Sequence, residues 1–338
     1  MTAQTSVVER GGWWRAIPTE SLWRNLGLVG VLVVLFVIGA IIRPDLYGDS
    51  DWVVNNMLVI LQQAAAIGVV TVGVTFVIIG GGIDLSVGAL IALAGVWSTT
   101  LATQSYGAAG MIFAALAVGT VAGALNGLLI AYGRLVPFIA TLAMLVAARG
   151  LAAQISGKQT QVSGDQFING IATTKVAGIP MLVIILAVAA ALGWVLLNRT
   201  TFGRRTVAIG SNAEAARLAG INVRRHTLLL YALSGLCCGI AAIMLTSLAT
   251  SAQAAAAELY ELDAIAAAII GGTLLSGGRG TIVGSMFGVI VFSAITNLFA
   301  IANLPTEVQN MVKGGIIVLA VLVQQIRFRS LTTLFRRA

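Results

Sequence analysis

An acidic residue follows three consecutive glycines inside an apolar stretch, in the run IIGGGIDLSVG at positions 78–88. Three glycines break a helix, because glycine loses the most backbone freedom when it becomes helical. A carboxylate at the centre of a bilayer costs about 2.5–3.5 kcal/mol, so Asp84 needs polar partners. Transporters build substrate and gating sites from polar atoms at broken membrane helices. Asp84 and Ser86 therefore either line a passage or cap the next helix by accepting its free N–H groups.

Other polar side chains also lie within apolar stretches of the chain. A hydroxylated solute needs amide and hydroxyl partners along a passage, but the same groups also join membrane helices by hydrogen bonds. Both roles stay open for each residue. Arg149 and Lys313, near or within the membrane, are expected to pair with carboxylates or carbonyls. The predicted pathway residues are Asp84, Ser86, Asn126, Thr141, Asn297 and Gln309.

Glycine is abundant, with 39 residues, and its positions are patterned. It recurs at every fourth position in the stretches 119–127 and 280–288, a spacing that lets membrane helices approach closely. A second glycine-rich run, IIGGTLLSGGRG at 269–280, resembles the first and indicates an internal repeat of equal orientation. The predicted helix-break and packing residues are Gly80, Gly81, Gly82, Gly271, Gly272, Gly277 and Gly278.

A basic loop at residues 198–226 contains a short, alanine-rich helix pattern. Asn212 can cap this helix, Glu214 lies in its first turn and Gly220 can end it. About eight residues do not form a stable helix alone in water, so this helix needs a surface to lie against. We expect a cytoplasmic partner there, and an unpartnered surface helix is the alternative. The residues expected to couple the partner are Asn212, Glu214, Ala215, Ala216, Arg217 and Gly220.

The composition is typical of a membrane protein. Hydrophobic residues make up 58% of the 338-residue chain and charged residues 9%, whereas soluble domains carry about 25% charged residues. A membrane span needs about 20 apolar residues, and the pattern predicts an all-α polytopic protein of about ten spans. The predicted spans are residues 25–42, 57–80, 85–103, 108–131, 137–153, 179–197, 227–249, 263–275, 281–301 and 306–325.

The charges predict the orientation of these spans. The net charge is +8, and ten spans with both termini in the cytoplasm place most of the basic residues inside, as the positive-inside rule requires. The chain then divides into a cytoplasmic or interfacial N-terminal segment (1–24), a transmembrane domain (25–326) and a basic cytoplasmic tail (327–338). The longest external loop, 154–178, is either a docking surface for an external partner or an ordinary solvated loop.

Several function classes lack their sequence signals. The only Gly-Lys step, at 157–158, has neither the first glycine nor the hydroxyl of a nucleotide phosphate loop. The single histidine, His226, lies at a predicted membrane edge and indicates anchoring rather than catalysis. Cys237 and Cys238 are adjacent within an apolar segment and predict packing. We therefore expect no enzyme, no catalytic or metal site, no cofactor within this chain and no nucleic-acid partner.

Four stretches together resemble the permease subunits of bacterial ribose/xylose/arabinose-type sugar ABC importers. They are GGGIDLSVGAL at 80–90, the Asn-Gly step at 126–127, AIGSNAEAARLAGI at 208–221 and ELDAIAAAIIGGTLLSGGRGTIVGS at 261–285. The resemblance covers residues 52–327, and residues 214–220 resemble a loose form of the short cytoplasmic signature of ABC importer permeases. It implies a many-helix bundle like that of vitamin B12-importer permeases.

The resemblance also implies partners and a mode of transport. Two permeases, identical or different, would pair in the bacterial cytoplasmic membrane. A separate ATPase subunit, carrying ATP and Mg, would bind inside, and a solute-binding protein would deliver a sugar or polyol outside. Transport would proceed by alternating access. The alternatives are a branched-chain amino-acid importer permease, an ion-coupled secondary transporter using Asp84, and a membrane scaffold without transport.

Overall fold

The computed structural model describes residues 19–335, and side chains within residues 25–322, as a mostly helical chain. Most of the predicted N-terminal segment and the last three residues of the tail lie outside the described residues. The helices are α1 (Thr19–Ile42), α2 (Pro44–Tyr47), α3 (Ser50–Ile79), α4 (Val87–Ser98), α5 (Leu101–Gln104), α6 (Gly107–Ala131), α7 (Pro137–Ile155), α8 (Gln166–Ile171), α9 (Met181–Arg199), α10 (Thr201–Ser211), α11 (Ala213–Leu218), α12 (Val223–Ala249), α13 (Tyr260–Ile270), α14 (Ile282–Ile301) and α15 (Thr306–Phe335). Two-residue strands are β1 (Gln161–Val162), β2 (Lys175–Val176), β3 (Ile179–Pro180) and β4 (Ser251–Ala252).

Seven of these helices are long and apolar enough to cross a membrane: α1, α3, α6, α7, α9, α12 and α14. The prediction of an all-α polytopic protein is thereby confirmed at this level. The predicted spans 85–103 and 263–275 correspond to shorter helices, α4 and α13, of 12 and 11 residues. The glycines at 271–272 end α13 at Ile270, because glycine is a poor helix former. Helix α4 is short because it ends at Ser98, before the separate helix α5.

Two helix ends differ from the predicted spans for reasons of capping. Helix α3 begins at Ser50, well before position 57, because the Asp49 carboxylate accepts the N–H groups of Asp51 at 2.9 Å and Trp52 at 3.4 Å. Helix α4 ends at Ser98, and the Thr100 side chain caps the separate helix α5. Apolar composition alone carries no information on these caps, so the predicted spans had the wrong ends.

The most extensive helix contact in the bundle is that of α12 with α6, where two rows of glycine face each other. A Cβ added to Gly119 would lie 2.4 Å from the carbonyl oxygen of Gly235, and one added to Gly123 would lie 2.3 Å from that of Tyr231. Gly239 likewise meets the backbone of Ala115. Backbones this close exclude any side chain, so the fourfold glycine spacing serves helix packing here.

The predicted external loop, 154–178, is folded onto the bundle. Strand β1 pairs antiparallel with β4, which follows α12. Helix α8 starts where the Asp165 carboxylate accepts the N–H of Ile168 at 2.9 Å, and the Ile168 side chain is fully buried. The Ser247 hydroxyl on α12 accepts the N–H of Ala172 at 2.8 Å. This segment is therefore a fixed cap on one end of the bundle.

The basic loop, 198–226, contains a helix that the sequence analysis missed. Helix α10 starts where the Thr200 hydroxyl accepts the N–H of Gly203 at 3.4 Å. Its Thr206 hydroxyl hydrogen-bonds Nε2 of His226 at 2.9 Å, and the rings of Phe202 and His226 lie 4.4 Å apart. His226 is buried and joins α10 to α12, so its anchoring is to protein rather than to the membrane surface. Two glycines and two arginines within α10 hid its helical pattern.

Candidate substrate pathway and coupling site

The first glycine-rich break holds a closed polar cluster around Asp84. One carboxylate oxygen accepts the N–H of Ser86 at 3.0 Å and its hydroxyl at 2.6 Å. The other oxygen accepts the hydroxyl of Ser234 on α12 at 2.9 Å. The Asn126 amide on α6 donates to the Ser86 hydroxyl at 2.8 Å. Asp84, rather than Ser86, therefore accepts the free N–H at the start of α4.

The backbone beside Asp84 is fixed by two further hydroxyls. Tyr231 on α12 donates to the carbonyl of Ile83 at 3.2 Å, and Thr141 on α7 lies 3.5 Å from the same oxygen. Asp84, Ser86, Asn126 and Thr141 are all completely buried. The four residues predicted for a passage thus meet, but in this conformation they join α4, α6, α7 and α12 rather than face an open channel. Their contact with solute stays a prediction.

Asn297 lies elsewhere, in a pocket of about 260 Å³ between α1, α3 and α14. Its amide and that of Asn56 exchange hydrogen bonds of 3.1 and 3.2 Å. The pocket walls are mainly apolar and include Phe36, Tyr47 and Trp52. The described hydrogen bonds of Asn297 therefore link it to α3, and its contact with solute stays a prediction.

Gln309 lines a second pocket of about 260 Å³, in which an ion pair connects α13 and α15. The Lys313 ammonium lies 3.2 Å from the Asp263 carboxylate and 5.3 Å from the centre of the Phe292 ring. The expected pairing of Lys313 with a carboxylate is confirmed. Asp263, the first residue of the predicted span 263–275, and Glu261, just before it, are each only 8% exposed. Asp84 is thus not the only carboxylate buried among the helices.

Arg149 on α7 has carbonyl partners, as expected. Its guanidinium donates to the carbonyl oxygens of Ala254 at 2.7 Å and Ala256 at 2.6 Å. These residues belong to the turn between β4 and α13. Arg149 therefore holds that turn in place, so that α13 begins at a fixed point in the bundle.

Helix α11 of the basic loop is short, capped and exposed. The Asn212 side chain accepts the N–H of Ala215 at 2.9 Å, and Gly220, with φ +82°, accommodates the left-handed turn after the helix. Arg217 donates to the Glu214 carboxylate at 3.1 and 3.2 Å. This hydrogen bond, and then the charge of Arg217, lowers the pKa of Glu214 below its ordinary value.

The two faces of α11 have different surroundings. The side chains of Glu214 and Arg217 are 67% and 61% exposed, and Leu218 is 75% exposed. Ala216 is only 5% exposed, so it faces this chain's own helices. A cytoplasmic partner would therefore contact Glu214, Arg217 and Leu218 directly. Leu218 was missing from the predicted coupling residues, and a large apolar side chain beside Arg217 was the available signal.

The end of α10 contacts both glycine-rich breaks at once. The N–H of Gly278 donates to the carbonyl of Ile79 at 2.8 Å, which joins the second break to the first. A Cβ added to Gly210 would lie 1.8 Å from that carbonyl oxygen and 2.6 Å from the nitrogen of Gly278. Gly81, Gly277 and Gly278 all have positive φ angles. The sequence analysis noted the similarity of the two breaks but not their contact, and it gave Gly210 no role.

Comparison with known proteins identifies relatives over nearly the whole chain. Residues 56–321 match the family model described as "Branched-chain amino acid transport system / permease component". The ribose import permease protein RbsC of Bacillus subtilis (strain 168) is 39% identical over 317 residues, covering 92% of this chain and 96% of the relative. The L-arabinose ABC transporter permease protein AraH of Azospirillum brasilense is 35% identical over 323 residues, covering 94% and 91%. The galactofuranose transporter permease protein YtfT of Escherichia coli (strain K12) is 34% identical over 308 residues, covering 90% of each. No solved structure matches the chain.

The apolar helices and their buried polar breaks define a polytopic membrane transport protein. The chain belongs to the ABC-importer permease family that this family model describes, and the resemblance to sugar importer permeases is confirmed. It is a multi-pass protein of the bacterial inner membrane. Its relatives are transport permease subunits, which agrees with the prediction that this chain is a transport component and not itself an enzyme.

Proposed function

We propose that this chain is the membrane-spanning subunit of an ATP-driven importer that moves a sugar or a sugar-like polyol by alternating access. The names of the relatives, which concern ribose, L-arabinose and galactofuranose, support this class of solute. One observation carries the mechanism: the end of α10 touches both glycine-rich breaks, and α11 follows it directly. Motion at the exposed helix thus has a direct path into the bundle.

The proposed partners act at the two ends of the bundle. An ATPase subunit, which carries ATP and Mg, binds the exposed face of α11 from the cytoplasm. A solute-binding protein docks on the folded cap at residues 154–178 from outside. A second permease, identical or different, completes the passage. This chain then needs no cofactor of its own, and nucleic acid has no part in the function.

The proposed architecture has ten membrane segments in one transmembrane domain, residues 25–326, with both termini in the cytoplasm. The seven long helices supply seven segments, α15 supplies another, and α4 and α13 are the two broken ones. The bundle is of the vitamin B12-importer type. Residues 327–338 form the basic cytoplasmic tail, and residues 1–24 an interfacial segment. Helices α3 and α13, which end at glycines within the bundle, support this proposal, because importers and other transporters use broken helices around their passages.

Coupling then follows from packing. The contact between Gly210 and the Ile79 carbonyl leaves no room for a side chain, so α10 cannot move without moving the first break. The hydrogen bond from Gly278 to Ile79 transmits the same motion to the second break. Asp84 and Ser86 lie two and four residues beyond the last glycine of the first break, where a shift of α4 would open the buried groups around them to the passage.

The family description mentions branched-chain amino acids, so leucine is the informative second solute to test. The polar groups in the wall of the pocket between α13 and α15, which is otherwise apolar, can hydrogen-bond a hydroxylated solute. An ion-coupled transporter is the other alternative, in which uptake would depend on Asp84 and not on ATP.

Co-purification and transport test the proposal together. The tagged chain, expressed in its native host, should purify with a stoichiometric ATPase. In proteoliposomes it should take up ribose, arabinose or galactose only with ATP and the binding protein. A Glu214→Arg variant should lose the ATPase, because like charges then meet at Arg217. The matched control is Glu258→Arg, an exposed acidic residue at the opposite end of the bundle. Uptake without ATP by the chain alone, or uptake of leucine only, would contradict the proposal.

A further inference from the structure

A pocket with both polar and apolar walls lies in the half of the bundle opposite to α10 and α11. It is formed near the ends of α12 and α14 and the starts of α13 and α15, with α3 as its other wall. The groups that give it chemistry are Gln62, Gln63, Tyr260, Asp263, Phe292 and Lys313. Of the predicted pathway residues, Gln309 lies here. The Asp84 cluster, at the first break, is a separate group of side chains.

The lining matches the hydrogen-bonding needs of a polyol. Each hydroxyl of a sugar both donates and accepts, and here a carboxylate accepts, an ammonium donates and two amides do both. Asp263 and Lys313 are partly solvent-accessible, with side chains 11% and 18% exposed. Phe292 and Tyr260 add apolar ring surface, which suits the C–H groups of a sugar ring. The volume of about 260 Å³ is several times the ~30 Å³ that one water occupies in the liquid.

The pocket is connected to the folded external cap. The Gln62 amide donates to the carbonyl of Ala172 at 3.1 Å, and the N–H of Ala172 donates to Ser247 on α12. Ala172 ends the helix α8 that belongs to the cap. A protein bound to this cap therefore presses on a residue in hydrogen-bond contact with the pocket wall.

We propose that this pocket is the first site in the permease to receive the solute, and that it recognises a hydroxylated ring through the Asp263–Lys313 pair and the Gln62 and Gln63 amides. The inference rests on the proposed function, since it needs a sugar delivered from the capped end. It assigns solute contact to Lys313, which the sequence analysis expected only to pair with a carboxylate or carbonyl, and to Asp263, Gln62 and Gln63, to which it gave no role.

The competing role for the ion pair is purely structural, because Lys313 and Asp263 also join α15 to α13. The two roles respond differently to replacement by apolar groups. A buried ion pair replaced on both sides by hydrophobic residues of similar size often leaves a protein as stable or more so. The double variant Asp263→Leu/Lys313→Met thus retains a packed contact and removes the polar recognition. Gln63, whose residue is exposed, gives a second variant that does not touch the pair.

The experiment measures ATP-driven ribose, arabinose and galactose uptake by the complete importer in proteoliposomes, with saturating sugar-loaded binding protein. We expect at least tenfold lower maximal uptake in Asp263→Leu/Lys313→Met and severalfold lower uptake in Gln63→Leu, with ATPase association and binding-protein docking retained. The matched control is Asn55→Leu, an exposed amide two turns earlier on α3, which should transport at the wild-type rate.

Each outcome decides the proposal. A Gln63→Leu variant that transports at the wild-type rate overturns the proposal. It is also overturned if the double variant loses uptake only because it no longer binds the ATPase, since the ion pair would then serve only to hold the helices together. If the wild-type importer moves none of these sugars with ATP, the proposed function fails and the site fails with it. If the wild type transports one of these sugars and the pocket variants transport it at the same rate, the proposed function stands and only the proposed site fails.

Discussion

The backbone N–H of Gly278 donates a 2.8 Å hydrogen bond to the carbonyl of Ile79, across nearly 200 residues of sequence. This bond joins the two glycine-rich breaks of the bundle, and Gly210 at the end of α10 packs against both of its partners. The break that precedes Asp84 and the break that follows α13 therefore share one junction with the cytoplasmic loop.

The junction should not tolerate a methyl group. In Gly210→Ala the Cβ would lie 1.8 Å from the Ile79 oxygen, so α10 must move away from both breaks. We expect uptake to fall at least tenfold while the ATPase stays bound, because α11 remains intact. The control is Gly150→Ala on α7, where an added Cβ meets nothing within 4 Å. Equal uptake by both variants would disprove a tight junction.

The hydrogen bonds of Asp84 should stabilise the fold. Asp84→Leu leaves the Ser86 N–H and the Ser234 hydroxyl without their acceptor, at about 1–3 kcal/mol for each buried group. We expect a lower midpoint of thermal unfolding in detergent. Asp84→Asn retains an acceptor for Ser86, and its amide can donate to Ser234, so it should be far milder and should retain ATP-driven uptake. Loss of all uptake in a stable Asp84→Asn variant would support ion coupling instead.

The glycine row between α6 and α12 should be needed for packing. In Gly123→Ala the Cβ would lie 2.3 Å from the Tyr231 carbonyl oxygen, and overpacking of this kind costs about 1–3 kcal/mol. Gly30→Ala on α1 has open space around the new Cβ and should gain up to about 1 kcal/mol of helix propensity. Thermal unfolding of the two variants in detergent compares them, and equal midpoints would contradict the packing.

The Asn56–Asn297 pair distinguishes packing from pathway lining. Asn56→Leu leaves the Asn297 amide without the partner it has here, so the free energy of unfolding should fall. The double variant Asn56→Leu/Asn297→Leu should restore stability, because both polar groups leave the apolar pocket together. If Asn297 contacts the solute, the restored double variant should still transport poorly. Normal uptake would make the pair structural only.

The Glu214–Arg217 pair should make ATPase docking insensitive to pH near neutrality. Hydrogen bonding to Arg217 lowers the pKa of Glu214 below its reference value of 4.5. A carboxyl group with a lowered pKa in the folded state contributes its stabilisation above the unfolded pKa and loses it as the pH falls through the folded one. We expect constant ATPase association from pH 6 to 8 and loss only below about 4.5. If ATPase association changes between pH 6 and 8, and the same change occurs in Glu214→Gln, this carboxyl group is excluded as the cause.

Several features followed from the sequence because they depend on local chemistry. Apolar length predicted the membrane helices. The predicted cap at Asn212 and the predicted end at Gly220 match helix α11, which runs from Ala213 to Leu218 with Ala219 as its C-cap. The glycine spacing in 119–127 predicted close helix packing. Arg149 and Lys313 have the carbonyl and carboxylate partners that a charge among apolar helices requires. These outcomes need only neighbouring residues, or the general cost of an unpaired charge.

Other features depended on contacts between distant segments. Helix α10 forms because Phe202 and Thr206 meet His226 across the loop, which no window of sequence contains. Asn297 bonds to Asn56, and Gln309 lies with Asp263 and Lys313, because helix rotation and crossing decide which faces meet. Hydropathy is the same on every side of an apolar helix, so it cannot encode that rotation. The sequence by itself therefore determined the class of protein and its candidate polar residues, and the tertiary structure alone decided which of them act together.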